Sequence, residues 1–386
     1  MPVRATKRGV GRTRLERDCD VLICGGSFAG LAVARELRSS GAEVMVIDRY
    51  ELGERATSAC AAPTAWLERL ELRGSLRQTF HELRLHTPWT DTCWTLPWPF
   101  STFDYRELCA LLWEQTGLPG GAYETAKVDG LTRAGARTED RTGGGAPHTV
   151  HTDRGDIRAP LVVDCLGWRR VLSGGASVQP PHAALTRGLE VHPSGRGEEM
   201  ELWIDPRYAR SGYSWSFPAS AELRVGVCSF RPADHVKGPT VRLAGDLGLD
   251  AVRYQGNWIP HQLRPAVEDG VFFAGDSAGH CLPLTAEGIR TALYFGIACG
   301  RELRAVLEGH LSRDEALRRY GDFSHRHSRP YRRLLSIQRA VCRPTSWSTT
   351  PMWAAVLTSR RFAARVFDYY LAIAPPSFVA EEPSRP

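Results

Sequence analysis

The chain has 386 residues, of which 42% are hydrophobic and 24% charged, and its formal net charge is +6. This length allows two domains, or one large domain with an inserted sheet. Arginine carries almost all of the positive charge, and outside residues 4–17 and 325–333 no basic run suggests a nucleic-acid partner.

The ten cysteines lie singly along the chain, without a C-x-x-C pair. This pattern predicts reduced thiols in a cytoplasmic protein and no metal site. Residues 1–18 are charged but lack the apolar core of a secretory signal, so we expect a disordered leader. No apolar run reaches the ~18 residues of a spanning helix, which leaves only peripheral contact with a membrane open.

Residues 20–48 predict the first βαβ unit of a dinucleotide-binding fold, with strands at 21–24 and 43–47 and a helix at 31–39. The turn at 25–30 reads GGSFAG, so Ser27 replaces the middle glycine of G-x-G-x-x-G. The helix N-terminus offers unpaired N–H groups to a pyrophosphate. Asp48 is placed to accept a hydrogen bond from a ribose hydroxyl.

The next segment combines a small-residue loop with a tryptophan-rich hairpin. Cys60 and Ala61 precede a helix that begins at residue 63 or 64, so this loop is able to pass close to a cofactor, or Cys60 is simply a core residue. Residues 81–100 alternate as a hairpin and contain Trp94, which suits either a pocket wall or ordinary sheet packing. A helix is predicted over 101–113, capped near Ser101 or Asp104.

The second half of the chain alternates between short strands and helical patterns. Residues 134–147 predict a surface loop, and a buried strand runs into Asp164. Several strands over 185–230 predict a mostly antiparallel inserted sheet. A strand at 270–274 then leads to Asp276 and to a helix from about 287 to 307, and the tail from 312 to 374 is helical by pattern.

These patterns predict an α/β fold: a Rossmann-like domain, an inserted antiparallel substrate sheet and a helical C-terminal tail. The predicted divisions are a leader at 1–18, the dinucleotide-binding domain at 19–80, 101–180 and 266–310, a substrate-domain hairpin at 81–100, the substrate sheet at 181–265, and the C-terminal region at 311–386.

Three separated motifs together resemble the FAD-dependent oxidoreductases built like aromatic hydroxylases, and among them the geranylgeranyl reductase family. They are the glycine turn with Asp48, the stretch DCLG that begins at Asp164, and the stretch GDSAG that begins at Gly275 and is followed by Gly288 and Ile289. The resemblance covers roughly residues 19 to 310. It implies bound FAD.

The resemblance also implies roles for individual positions in binding FAD. Asp48 would lie on the adenosine ribose, Cys60 and Ala61 beside the flavin, Asp276 on the ribityl and pyrophosphate region, and Gly288 with Ile289 at the isoalloxazine edge. The other implied cofactor residues are Gly25, Gly26, Ser27, Phe28, Ala29, Gly30, Arg49, Arg106 and Ala126.

Two positions depart from the family pattern. The family usually has glycine after the loop cysteine, whereas Ala61, Ala62 and Pro63 follow Cys60 here. The arginine expected near the start of the helix at 101–113 is either replaced by Tyr105 or displaced by one position to Arg106.

The segment YSWSFP, which begins at Tyr213, is similar to the Y-x-W-x-F-P box that lines the substrate cavity in geranylgeranyl reductases. The resemblance therefore implies a substrate cavity lined by Trp215 and Phe217, and Trp94 of the predicted hairpin is a further candidate for its apolar wall. Cys60 and Tyr213 are the proton donors we expect near the flavin.

The leading hypothesis is an enzyme that reduces carbon–carbon double bonds of an apolar isoprenoid or polyene substrate with reduced FAD. A flavin-dependent monooxygenase that acts on an aromatic or natural-product substrate is the main alternative, and a non-redox cyclase is a further one. No second glycine-rich βαβ unit for NADPH is present, so the electron donor is either transiently bound NADPH or a reduced electron-transfer partner.

Overall fold

A computed structural model describes residues 13–56, 59–134, 146–175, 179–180, 182–341 and 359–380. Most of the predicted leader and of the loop at 134–147, and part of the helical tail, lie outside these ranges. Within them, no helix combines the length and the apolar character needed to cross a bilayer.

The secondary structure alternates between strands and helices along the chain. The strands are β1 (Arg17–Asp18), β2 (Val21–Cys24), β3 (Val44–Asp48), β4 (Ala61–Pro63), β5 (Leu76–His86), β6 (Asp91–Phe103), β7 (Tyr123–Thr125), β8 (Val128–Thr132), β9 (His148–Thr152), β10 (Gly155–Ala159), β11 (Leu161–Asp164), β12 (Leu185–Val191), β13 (Met200–Trp203), β14 (Gly212–Ala219), β15 (Glu222–Ser229), β16 (Gln255–Pro260), β17 (Val267–Glu268) and β18 (Val271–Phe273). The helices are α1 (Phe28–Glu36), α2 (Thr64–Arg69), α3 (Tyr105–Thr116), α4 (Lys237–Asp246), α5 (Ile289–Leu307), α6 (Arg313–Arg326), α7 (Ser328–Val341) and α8 (Arg360–Ala372).

A six-stranded sheet forms the centre of the cofactor domain, in the order β17-β18-β11-β2-β3-β7. All of its pairs are parallel except β17 with β18. Strand β2 pairs with β3 on one side and with β11 on the other, so the connections diverge at its carboxyl end. In open α/β sheets ligands bind at such a point.

Helix α1 packs against α5 on this sheet, and the two helices approach closely because α5 carries glycines at the contact. A Cβ on Gly296 would lie 2.6 Å from the carbonyl oxygen of Ala29, and one on Gly300 would lie 2.9 Å from that of Val33. The contact joins the glycine-turn helix to the helix that begins at Ile289. Two regions far apart in sequence are thereby held on one side of the sheet.

An eight-stranded mixed sheet, in the order β16-β12-β15-β14-β13-β5-β6-β4, forms the second layer. Its pairs are antiparallel except β13 with β5. Alternate residues of its strands face opposite sides: Val191, Leu223, Val225 and Val227 pack with α4 in one apolar cluster. The other face, which carries Trp215 and Phe217, lines the large cavity described below.

The α/β fold class is confirmed, with two local differences. Helix α3 begins at Tyr105 rather than at residue 101, because residues 101–103 still belong to β6. Asp104 caps α3 by accepting a hydrogen bond from the backbone N–H of Glu107 at 2.9 Å. Helix α1 begins at Phe28, three residues before the predicted start.

Candidate FAD and substrate site

A cavity of about 1630 Å³ lies between the carboxyl end of the parallel sheet and the eight-stranded sheet. Residues at the ends of β2, β3 and β11 line one part of it, and side chains of β5, β6 and β14 line the other. Drug-sized ligands occupy sites of about 300–1,000 Å³. The volume is therefore sufficient for a dinucleotide and a second molecule together.

The glycine turn that leads into α1 has no space for additional side chains. Gly25 has a φ of 113°, and a Cβ there would lie 2.3 Å from the carbonyl oxygen of Cys165. A Cβ on Gly30 would lie 1.9 Å from the carbonyl oxygen of Gly25. Both positions require glycine, which brings the backbone of the turn close to any ligand in the cavity.

Ser27 occupies the N-cap position of α1 but does not cap it. Its side chain makes no cap hydrogen bond; instead Ser27 Oγ accepts a hydrogen bond from the Tyr105 hydroxyl at 3.0 Å. The first amides of α1 therefore keep their capacity to bind an anion. Serine in place of the middle glycine of G-x-G-x-x-G therefore leaves the amides of the turn able to bind an anion.

Asp48 lies at the end of β3 and is hydrogen-bonded to the turn. Its Oδ2 accepts from the Gly26 amide at 2.8 Å and its Oδ1 from the Tyr50 amide at 2.9 Å. Burial raises the pKa of this carboxyl, although the two amides act in the opposite direction. Each oxygen keeps a lone pair for a ligand hydroxyl, so ribose binding stays a prediction.

Asp276 follows β18 in a short 3₁₀ turn and lines the cavity. Within the described residues, its half-buried carboxylate accepts no hydrogen bond. Arg264 is the charged group that acts on its pKa. Burial raises the pKa of Asp276 to about 6, against the influence of Arg264. A half-buried carboxylate that accepts no hydrogen bond from the described residues and lines a cavity marks a candidate functional site.

Asp164 holds this turn in place without lining the cavity. Its Oδ1 accepts from the Ser277 hydroxyl at 2.6 Å and from the Leu166 amide at 2.9 Å, and its Oδ2 accepts from the Leu172 amide. The fully buried carboxylate thus connects the end of β11 to the turn that carries Asp276. We interpret Asp164 as a positioning residue.

The raised pKa of Asp276 predicts how the stability of the FAD-free protein depends on pH. In the folded state this pKa is about 6, against an ordinary value of 3.8. Between these values the folded protein binds more protons than the unfolded chain, so this contribution to stability falls as pH rises. The free energy of unfolding of the unsubstituted protein should therefore fall from pH 4 to pH 7, and Asp276→Asn should lack this decrease. We expect the difference in free energy of unfolding between the two proteins to change by up to about 3 kcal/mol in favour of Asp276→Asn.

Urea denaturation of the FAD-free proteins at the two pH values measures this gain. The matched control is Asp250→Asn, because Asp250 is exposed. A stability difference that stays the same at both pH values would contradict the assignment of an unpaired carboxylate to Asp276.

The loop before β4 passes along the cavity, but the Cys60 thiol does not line it. Ala59 and Ala61 line the cavity, whereas Cys60 is buried with a φ of 51°. Arg224 Nη1 donates hydrogen bonds to the carbonyl oxygens of Ala59 at 2.9 Å and Cys60 at 3.1 Å. Burial raises the pKa of the thiol to about 12, which makes it a weak proton donor.

Tyr213 lines the cavity, yet its proton is already engaged. The hydroxyl donates to the carbonyl oxygen of Thr285, in the loop before α5, and burial raises its pKa well above the ordinary value. Leu284 and Ala286 in this loop have φ values of 69° and 50°. The Tyr213 hydrogen bond therefore supports a strained loop that ends at Gly288 and Ile289.

The structure brings most of the predicted cofactor and pocket positions to one cavity. The predicted positions that line it are Gly26, Ser27, Phe28, Ala29, Asp48, Arg49, Ala61, Trp94, Tyr213, Trp215, Phe217, Asp276, Gly288 and Ile289.

Arg106 and Ala126 do not line this cavity. Arg106 is exposed, while its neighbour Tyr105 lines the cavity and bonds Ser27. Of the two sequence alternatives, the geometry thus favours Tyr105. Ala126 is fully buried, and its amide donates to the carbonyl oxygen of Asp48 at 2.7 Å. Ala126 therefore stabilises the backbone at the end of β3.

Sequence reasoning missed a buried polar group on the cavity face of the eight-stranded sheet. Glu190 lines the cavity, and one carboxylate oxygen pairs with His192 Nε2 at 2.8 Å. The other accepts from Trp215 Nε1 at 3.3 Å, and His192 Nδ1 lies 3.7 Å from Glu222. The sequence signal that could have revealed Glu190 is a charged residue in a buried strand, because charged residues are rarely buried without a partner.

A protein-family model of the FAD binding domain matches residues 18–167. This match spans the glycine turn and Asp48, which line the cofactor part of the cavity, and the strand that ends at Asp164. The chain is an FAD-dependent oxidoreductase. The chemistry of the site fits this cofactor, since the amide-rich turn and the two acidic residues suit the pyrophosphate and hydroxyl groups of a dinucleotide.

Two curated relatives carry out different types of reaction. Digeranylgeranylglycerophospholipid reductase 3 of Methanosphaera stadtmanae is 23% identical over 337 residues, which are 81% of this chain and 83% of the relative. Anhydrotetracycline monooxygenase of Streptomyces rimosus is 27% identical over 323 residues, which are 75% of this chain and 63% of the relative. The comparison therefore supports the oxidoreductase class without choosing between reduction and oxygenation.

The fold matches a crystal structure of a geranylgeranyl bacteriochlorophyll reductase-like protein from Thermoplasma acidophilum. The TM-score is 0.78 at 15% identity, and the match covers 95% of this chain and 98% of the other. Together with the family match and the curated relatives, this similarity confirms the resemblance to geranylgeranyl reductase-type flavoproteins that the motifs indicate.

Proposed function

We propose that this oxidoreductase reduces carbon–carbon double bonds of an apolar isoprenoid or polyene substrate. The observation that supports it most is the second part of the cavity, where Trp94, Trp215 and Phe217 form apolar walls. The reductase relative from Methanosphaera stadtmanae, aligned over most of both chains, favours the same reaction. NADPH or a reduced electron carrier would supply the electrons.

The residues of the proposed site have two tasks. The amides at the start of α1, together with Asp48 and Asp276, would hold FAD, which when reduced supplies the hydride. The aromatic wall would orient the substrate chain and exclude water from it.

The structure favours Glu190 over Cys60 and Tyr213 as the source of the proton. The Cys60 thiol is buried off the cavity, and the Tyr213 hydroxyl donates to Thr285. The hydrogen-bonded pair of Glu190 and His192, with 2.8 Å between Oε1 and Nε2, would deliver one proton through Glu190 to the second carbon of the double bond, while the first carbon receives the hydride. A proton from solvent would then return to the Glu190 carboxylate through His192, whose Nδ1 lies 3.7 Å from the more exposed Glu222.

The runner-up function is a flavin-dependent monooxygenase of an aromatic or natural-product substrate. The similarity to anhydrotetracycline monooxygenase over three quarters of this chain supports it. Glu190 and Trp215 would then bind polar groups of the substrate rather than supply a proton. A cyclase that leaves the mass of the substrate unchanged is a third, less favoured candidate.

The mass of the product distinguishes these functions. Purified protein is first examined by absorption spectroscopy for bound FAD, then reduced with dithionite without oxygen and incubated with a digeranylgeranylglycerophospholipid. Addition of two hydrogen atoms for each reacted double bond is the expected result. A gain of one oxygen atom after readmission of oxygen would select the monooxygenase, and absence of bound FAD would contradict every function proposed here.

A further inference from the structure

Three exposed apolar side chains of α7 and α8 belong to the lining of the cavity. Ile337, Val366 and Tyr369 are 47%, 43% and 37% exposed, and all three also line the cavity. We call these three residues the apolar rim. Large apolar side chains that are exposed to solvent beside an apolar cavity indicate a site where an apolar surface or ligand binds.

The same two helices carry an excess of positive charge. The exposed arginines on them are Arg329, Arg332, Arg333, Arg339, Arg361 and Arg365, whereas Asp368 is the one acidic residue in their sequences. None of these six arginines forms an ion pair with another residue in the part of the chain that the structure describes. Their charge is therefore available to an external anion.

Two of these arginines lie directly beside the apolar rim. Arg333 precedes Ile337 by four residues on α7, and Arg365 precedes Tyr369 by four residues on α8, so each pair shares a helix face. Arg365 itself lines the cavity. Cationic and apolar groups thus lie side by side where the two helices line the cavity, which is the composition of helices that bind at a lipid surface.

Helix α8 is anchored in this position by buried hydrogen bonds. The fully buried Arg290, at the start of α5, donates to the carbonyl oxygens of Leu371 at 3.0 Å and Ala374 at 2.9 Å. Trp66 Nε1 also donates to Ala374, at 3.0 Å. On its other side α8 contacts the substrate wall, where the rings of Phe367 and Trp94 are 5.7 Å apart. The rim is thus a built surface continuous with the cavity.

We propose that the apolar rim and the arginines beside it dock on an anionic lipid bilayer, with the cavity open to the acyl-chain region. An apolar substrate would then enter from the bilayer without crossing water. Charge complementarity selects the occupant, since arginines near a negatively charged surface each contribute about fivefold in partition. Docking of the protein on a bilayer does not rest on the proposed double-bond reduction, whereas the entry of an isoprenoid substrate from the bilayer does.

The test is flotation of the full-length, FAD-containing protein with vesicles of phosphatidylcholine, with or without phosphatidylglycerol. We expect binding to the vesicles that contain phosphatidylglycerol, weakened by salt. The variant Arg333→Gln with Arg365→Gln should bind them roughly 25-fold more weakly. Replacing both Ile337 and Val366 by serine should also weaken binding, with FAD absorbance reporting that each variant is folded.

The matched control replaces Val241 by serine and Arg242 by glutamine, both exposed on α4 behind the opposite face of the eight-stranded sheet. It should bind vesicles like the unsubstituted protein. Equal binding to both vesicle types, no binding to either, or an equal loss in the control would overturn the proposal. These outcomes leave the product-mass test of the reduction unaffected, so the two proposals fail separately.

Discussion

Gly30→Val is expected to prevent FAD binding. A Cβ at this position would lie 1.9 Å from the carbonyl oxygen of Gly25, so the turn must open and its amides must leave the cavity. Overpacking of a well-packed site costs about 1–3 kcal/mol, and here the clash is with backbone that cannot rotate away. We expect FAD affinity to fall at least about 100-fold, measured by flavin fluorescence titration of the FAD-free protein.

The matched control is Gly130→Val in strand β8. A Cβ on Gly130 would meet no atom within 4 Å, and valine is favourable in a strand, so this variant should retain FAD. Because Gly30→Val is able to disturb folding itself, Asp276→Ala provides an independent test. Within the described residues the Asp276 side chain makes no hydrogen bond, so we expect a folded protein with weakened FAD binding.

Full FAD occupancy in both Gly30→Val and Asp276→Ala would contradict the proposed cofactor site. Loss of FAD in Gly130→Val as well would indicate that valine destabilises the domain generally. Circular dichroism of each variant separates unfolding from loss of the cofactor alone.

Local physical chemistry made the cofactor domain predictable from sequence. Residues 21–24 are an unbroken apolar run, because a parallel strand is buried on both faces, and the strand is confirmed with these bounds. Gly25 and Gly30 follow it at the spacing that the turn requires. These features depend on neighbours in the chain, which the sequence displays directly.

The parts that were not predicted depend on contacts between distant residues. Tyr105 meets Ser27 across 78 positions, and Arg224 meets Cys60 across 164. Spacing carries no information about such pairs, so Arg106 was assigned from the family pattern, and the Cys60 thiol from that pattern and from its place in a loop before a helix. Glu190 was missed for the same reason, since its pairing with Trp215 depends on the order of strands in the sheet.

Glu190→Gln is expected to lower the turnover of double-bond reduction by about 10²–10⁴-fold, the usual contribution of a positioned acid. Glutamine keeps the size of the side chain and its hydrogen-bonding capacity toward His192 and Trp215, but it does not supply a proton. Because the substitution leaves the cofactor part of the cavity unchanged, FAD content and the rate of FAD reduction by dithionite should not change.

Stopped-flow absorption measures the two half-reactions separately, with the digeranylgeranylglycerophospholipid as substrate in the second. The matched control is Glu198→Gln, because Glu198 is exposed and does not line the cavity. His192→Gln tests the route by which Glu190 regains its proton. Because His192 does not contact the substrate, this substitution should shift the pH profile of the second half-reaction without abolishing the reaction.

Unchanged reoxidation of FAD by the substrate in Glu190→Gln would exclude Glu190 as the proton donor and return the assignment to Tyr213. A loss confined to substrate affinity would instead favour the monooxygenase alternative, in which Glu190 binds a polar group of the substrate. The distinction arises because an acid acts only as the new carbon–hydrogen bond forms, whereas a binding group acts equally before and during the reaction.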